Sequence, residues 1–207
     1  MNGFGNPLYI GFKRILLPKI LKMKQLLLLF AIYCLSRNST NAQNNAPKTH
    51  IYCIHGQGSD TRLFSKLTLD TAVFELHFVV LPMPEKTDDM TQFARKVLQQ
   101  IDTTHPFVLL GVSLGGMVCV ELADLVHPQK TIIISSAKTE AEIPRRYRFM
   151  RRVPLYVLMP PMAYKVGAKI VQPLVEPDRK RQKAICKAML SDKNAVFLKR
   201  TTKLIIN

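Results

Sequence analysis

Four short apolar runs divide the middle of the chain, and each stops at residues that turn a backbone. His50 to Ile54 ends in His55-Gly56-Gln57-Gly58, and Leu76 to Leu81 is stopped by Pro82 and Pro84. Phe107 to Leu110 leads into Gly111, and Ile132 to Ile134 into Ser135-Ser136. These runs are rich in Val, Ile and Leu and lack polar alternation. That pattern predicts strands buried on both faces, as in a parallel sheet covered by helices. Between them, Met90, Phe93, Ala94, Val97, Leu98 and Ile101 fall at helical spacing, with Thr87 or Asp88 placed to cap the start. Met117, Val118, Val120, Leu122 and Leu125 form a second helical pattern, ended by Pro128. The order β-α-β-α-β predicts the α/β class: a doubly wound, mostly parallel sheet with helices on both faces.

The flanks have different patterns. Met23-Lys24 precedes an apolar run from Leu26 to Leu35, and a polar stretch from Asn38 to Ala42 follows. A charged start, a short apolar run and a polar tail predict a secretory signal over residues 1–42, with cleavage after Ala42. Residues 1–22 are expected to be an over-long n-region or an upstream start choice, with Met23 as the initiator. The run is shorter than the ~20 residues a transmembrane span needs. The expected location is therefore secreted or periplasmic, the alternative being an anchor of uncleaved signal. Residues 48–142 form the expected core, and residues 143–207 an appended basic helical segment.

Charge sharpens this division. The formal net charge is +16, yet the core segment carries 8 basic against 11 acidic residues, while residues 143–207 carry 16 against 3. The excess belongs to the ends. In the C-terminal segment Arg145, Arg146, Arg148, Arg151 and Arg152 precede an apolar stretch from Leu155 to Met162. Arg179-Lys180-Arg181 and Lys183 are expected to open a helix capped by Asp178, with Ala184, Ile185, Ala188 and Met189 on its apolar face. The final residues, Thr201 to Asn207, predict an interrupted helix or linker. The basic residues suit a solvated face, or attraction to an acidic substrate or an anionic membrane surface. No base-stacking or groove-reading motif accompanies them, so nucleic acid is not an expected partner. Cys53, Cys119 and Cys186 remain after signal removal, an odd number, and the first two are expected as buried small hydrophobes. No CxxC or His-rich pair points to a metal, and no cofactor is implied.

Candidate chemistry enters with Gly111-Val112-Ser113-Leu114-Gly115, a G-x-S-x-G pattern between a predicted strand and a predicted helix. A serine on such a turn is forced into a strained backbone with its hydroxyl exposed. The helix that follows aims its first amides at negative charge developing beside Ser113. Fifty-eight residues earlier, His55-Gly56-Gln57-Gly58 also follows an apolar strand.

With these two motifs in this order, residues 48–142 resemble the α/β-hydrolase superfamily. The resemblance implies a serine hydrolase acting on a carboxylic ester or related acyl substrate. Ser113 matches the nucleophile and Leu114 the oxyanion amide that follows it. Gln57, or else Gly58, matches the loop amide. His55 and Gly56 match the loop-ordering residues, and the basic segment matches a helical lid over an apolar or anionic substrate.

The triad is where the resemblance stops. In the superfamily the base follows the serine and its acid, but His127 alone follows Ser113. It stands at the far end of the next helix, about 20 Å away at ~1.5 Å per residue, and so cannot be the base. Glu140 or Glu142 match a minority position for the acid. Four strands are counted where the superfamily sheet has eight. The expectation is a truncated hydrolase, its C-terminal part missing and triad chemistry with it. The alternatives are a non-catalytic binding protein on the same fold, or a basic module that works at a membrane surface.

Overall fold

The computed structural model describes residues 48–175 and 183–207. The signal-like segment and the Asp178 cap lie outside the described residues. Among those described, no helix is long and apolar enough to cross a membrane.

All four expected strands form. They are β1 (Thr49–Ile54), β2 (Phe74–Val79), β3 (Phe107–Val112) and β4 (Lys130–Ile134). Every pairing is parallel and the order is β2-β1-β3-β4. The chain winds outward from β1 to β2, then returns to the other side of β1 to lay down β3 and β4. The direction of winding therefore reverses between β1 and β3. In open α/β sheets the crevice outside the strand ends at such a reversal is where ligands bind.

Helix α1 (Met90–Leu98) buries Phe93, Ala94 and Val97. Its cap is Asp89 rather than Thr87 or Asp88. The Asp89 side chain accepts from the Gln92 amide while the Gln92 side chain accepts from the Asp89 amide, a reciprocal capping box. Asp88 instead accepts from the Glu85 amide and pairs with Lys96 at 2.8 Å. Helix α2 (Leu114–Val126) buries Leu114, Val118, Cys119 and Leu122, and ends at His127, whose φ of 47° closes it ahead of Pro128. Both helices share one apolar cluster with Tyr52, Ile54, Val79 and Leu109. The other face of the sheet supplies Ile51, Cys53, Val108 and Leu110, which pack against Phe64 from a 3-10 turn at Thr61–Phe64.

Among the described residues, five α-helices follow β4: α3 (Arg145–Arg152), α4 (Leu155–Leu158), α5 (Pro161–Val175), α6 (Lys183–Asp192) and α7 (Ala195–Ile206). The apolar face of α6 is Met189 and Leu190, with Ile185 and Ala184 exposed. The expected linker at the end of the chain is a helix. The Asn194 side chain caps α7 by accepting from the amides of Val196 and Phe197. Phe197, Leu198, Leu204, Ile205 and Ile206 are buried. Two adjacent threonines argue against a helix because they are stiff and their hydroxyls compete for the backbone. Here Thr201 donates to the Phe197 carbonyl and Thr202 to the Leu198 carbonyl, both within α7.

Candidate active site

The reversal point between β1 and β3 brings the two sequence motifs together. Ser113 stands where β3 passes into α2, exposed, with φ 53° and ψ −118°. That conformation costs an L-residue roughly 1–3 kcal/mol and persists only where its surroundings hold it. They do so from both sides. The Ser113 amide donates to the Ile134 carbonyl of β4 at 2.9 Å. Its carbonyl accepts from the Gly116 amide at 2.9 Å and from the Ser136 hydroxyl at 2.6 Å. Ser136 had no expected chemistry; the structure gives it a positioning contact.

The glycines explain how the turn packs so tightly. A Cβ on Gly115 would lie 2.1 Å from the Ile54 carbonyl oxygen, and one on Gly111 would lie 2.4 Å from the Gly115 carbonyl oxygen. Bare glycine lets α2 start directly against the ends of β1 and β3. On the β1 side Gly56 closes against the serine, since a Cβ there would sit 3.2 Å from the Ser113 Cβ.

The loop at Gly56 is held from within. Buried His55 donates from Nδ1 to the Gly56 carbonyl at 2.8 Å. Burial lowers its pKa to about 4, with the Gly56 hydrogen bond opposing in part. His55 is therefore neutral at pH 7. The Gln57 side chain reaches across to α7, where Nε2 donates to the Leu198 carbonyl at 2.7 Å and to the hydroxyls of Thr201 and Thr202 at 2.9 and 2.6 Å. Thr202 also bonds the Tyr164 hydroxyl of α5. The C-terminal helix is thereby latched to the loop beside Ser113. Spacing along the sequence carries no trace of this latch, because Gln57 and Thr202 are 145 positions apart.

The remaining candidates are placed elsewhere. Glu140 is exposed and pairs with Arg151; Glu142 accepts from the Lys138 amide at 2.7 Å. His127 closes the distal end of α2. His50, His77 and His105 gather at the opposite end of the strands. Among the described residues, no histidine hydrogen-bonds the Ser113 hydroxyl. A cleft of about 180 Å³ opens beside α2, lined in part by Met90, Met117, Ile143 and Leu204, with Lys138 and Glu140 at its rim. Met117 is one helical turn beyond Ser113. Cys53 and Cys119 are both buried and unpaired, and burial pushes the Cys53 thiol up to about 11. Both act as small apolar side chains.

No family model matches the chain, and no curated protein does. Solved structures do. A hydrolase from Pseudomonas aeruginosa PA01 superposes with a TM-score of 0.56 at 17% identity, over 78% of this chain and 65% of that one. An esterase from Rhodococcus sp. ECU1013 gives 0.52 at 16% identity, over 77% and 65%. The esterase EaEST from Exiguobacterium antarcticum gives 0.50 at 17%, over 77% and 66%. The chain thus spans about two thirds of the length of these structures. Parallel order, reversal point, glycine-packed serine turn and structural neighbours agree: this chain has the α/β-hydrolase fold.

Proposed function

We propose that the chain is a serine hydrolase in design, directed at a carboxylic ester or related acyl group through Ser113. The strained, exposed serine held at the sheet's reversal point supports this reading most directly. In the proposed reaction the Ser113 Oγ attacks the acyl carbonyl and gives its proton to water. The ester's acyl–oxygen bond then breaks, the alcohol leaves carrying a proton from water, and the acyl group stays on Ser113. The amides of Leu114 and Gln57 receive the oxyanion, and the N-terminal dipole of α2 adds to their effect. The cleft beside Met117 takes the apolar part of the substrate.

A nucleophilic serine needs a base. Among the described residues no histidine hydrogen-bonds the Ser113 hydroxyl, so slow acyl transfer is the expected behaviour. Loss of the triad base costs on the order of 10⁶ in rate where it has been dissected in another serine hydrolase. Incubation with p-nitrophenyl butyrate followed by intact-mass analysis tests the proposal. Slow addition of one butyryl group that vanishes in Ser113→Ala is the expected result. Acyl transfer undiminished in Ser113→Ala contradicts it, and saturable ester binding without any transfer favours the non-catalytic binding protein instead.

A second reading concerns where the chain works. Helices α3 to α5 expose Phe149, Leu155, Leu158, Met162, Val166 and Ile170, and Leu158 is 83% exposed. Residues 143–175 carry seven basic and no acidic side chains. An apolar surface with a basic border suits an anionic membrane surface, where each cation adds about 1 kcal/mol. Liposome pelleting should require anionic lipid and weaken with salt. Equal binding to neutral vesicles would contradict this reading.

A further inference from the structure

The foot of the sheet, at the end opposite Ser113, holds a cluster of side chains that the proposed acyl chemistry does not use. In the parallel register of β1 and β2, His50 pairs with Glu75 and Tyr52 with His77. Register partners point to the same side of a sheet, and so do alternate residues of one strand. His50, Tyr52, Glu75 and His77 therefore share one face. The His50 Nδ1 and His77 Nε2 lie 2.7 Å apart, and His77 Nε2 is 3.7 Å from Glu75 Oε1. One nitrogen from each histidine and one carboxylate oxygen of Glu75 all fall within 4.8 Å of one another.

We propose that His50, His77 and Glu75 form a binding site for a borderline divalent transition-metal ion such as Zn²⁺. Two imidazoles and one carboxylate suit zinc, cobalt, nickel or copper, whereas calcium and magnesium want an all-oxygen shell. The rings are already oriented. Tyr52 stacks on His77 at 4.7 Å between centroids, and His50 stacks on His77 at 4.9 Å. The Tyr52 hydroxyl accepts from the Asp102 amide at 2.9 Å, which pins the loop carrying His105. The His105 ring lies 5.5 Å from that of His50, and its Nδ1 faces the Asp102 carboxylate at 3.2 Å. A carboxylate on one imidazole nitrogen frees the other as a ligand, so His105 is placed to complete or support the shell. His50 and His77 are half-buried and Glu75 is exposed, so an ion can enter from solvent.

Metal–nitrogen bonds of ~2.0–2.1 Å in a tetrahedral shell separate two nitrogens by about 3.3 Å. The histidine pair must therefore open by a few tenths of an ångström, which small side-chain rotations supply. The ion would bridge edge strand β2 to β1 and sit about 20 Å from Ser113 along strands that rise ~3.3 Å per residue. Its role is to clamp the sheet edge, apart from acyl chemistry.

Titration of the untagged full chain with Co²⁺ and Zn²⁺ tests this. One equivalent of Co²⁺ should give visible d–d absorption without a thiolate charge-transfer band, and Zn²⁺ should raise Tm. Glu75→Gln, which changes an exposed carboxylate, and the double variant His50→Asn/His77→Asn should each weaken binding at least ~10-fold. Absence of saturable binding, or equal binding by wild type and the double variant, would overturn the proposal. A thiolate band would do so too, by moving the ion to cysteine.

Discussion

At Ser113 the motif is legible because its residues sit together in the sequence, although the contacts that hold its backbone come from β1 and from Ile134 and Ser136. Gly111, Ser113 and Gly115 lie within five residues. A Cβ on Gly111 would meet Gly115 and Cys119 of the helix that follows, and one on Gly115 would meet Ile54 and His55 at the end of β1. His55 follows the same logic. It is buried, and its Nδ1 donates a hydrogen bond to the Gly56 carbonyl. Its ring is neutral in the fold, with a pKa of about 4 against an ordinary value of 6.5. The unfolded chain therefore binds the proton first as pH falls, and the stabilisation is lost between pH 6.5 and 4. From pH 7 to pH 5 this single group should remove about 2 kcal/mol of stability. Urea midpoints measured across that range should fall, and His55→Asn, which retains a donor at the Nδ1 position, should flatten the fall. An unchanged slope in that variant would assign the acid sensitivity elsewhere. Ser136 and the His50–His77 pair were not legible, because their roles depend on which strands become neighbours. No residue spacing encodes that register.

Among the elements, strands and early helices follow from hydrophobic pattern, while caps and the last helix needed the tertiary structure. Asp88 and Asp89 are equivalent on paper. The Gln92 side chain, which returns the hydrogen bond, selects Asp89 and leaves Asp88 to Lys96. Helix α7 contradicts its own threonines until Gln57 is included, since Gln57 gives Thr201 and Thr202 a partner within the fold. Gln57→Ala should leave the Thr201 oxygen short of a donor, Thr202 keeping the Tyr164 hydroxyl, and cost about 1–3 kcal/mol. Amide exchange should then rise specifically in Ala195–Ile206. Unaltered protection of α7 would show that apolar burial alone fixes it, and the latch would be incidental.

Across the whole molecule, the sheet's reversal point decides the functional reading. Four parallel strands place β1 and β3 side by side, with Gly56 and Ser113 at their ends. Structures of a hydrolase and two esterases share the fold at 16–17% identity. Such low identity preserves the fold and leaves the chemistry to the site. Ile132 and Ile134 of β4 remain 45% and 47% exposed, and Phe78 of β2 46%. One face of this sheet is thus less covered than its unbroken apolar strands led one to expect. The measurement that bears most directly on the account is labelling of the full chain with a fluorophosphonate, followed by peptide mapping. The account predicts a single adduct on Ser113, abolished in Ser113→Ala. It also predicts a rate that climbs with pH without a plateau near neutrality, because among the described residues no histidine serves the hydroxyl. An adduct elsewhere, or none on a folded chain, would contradict it.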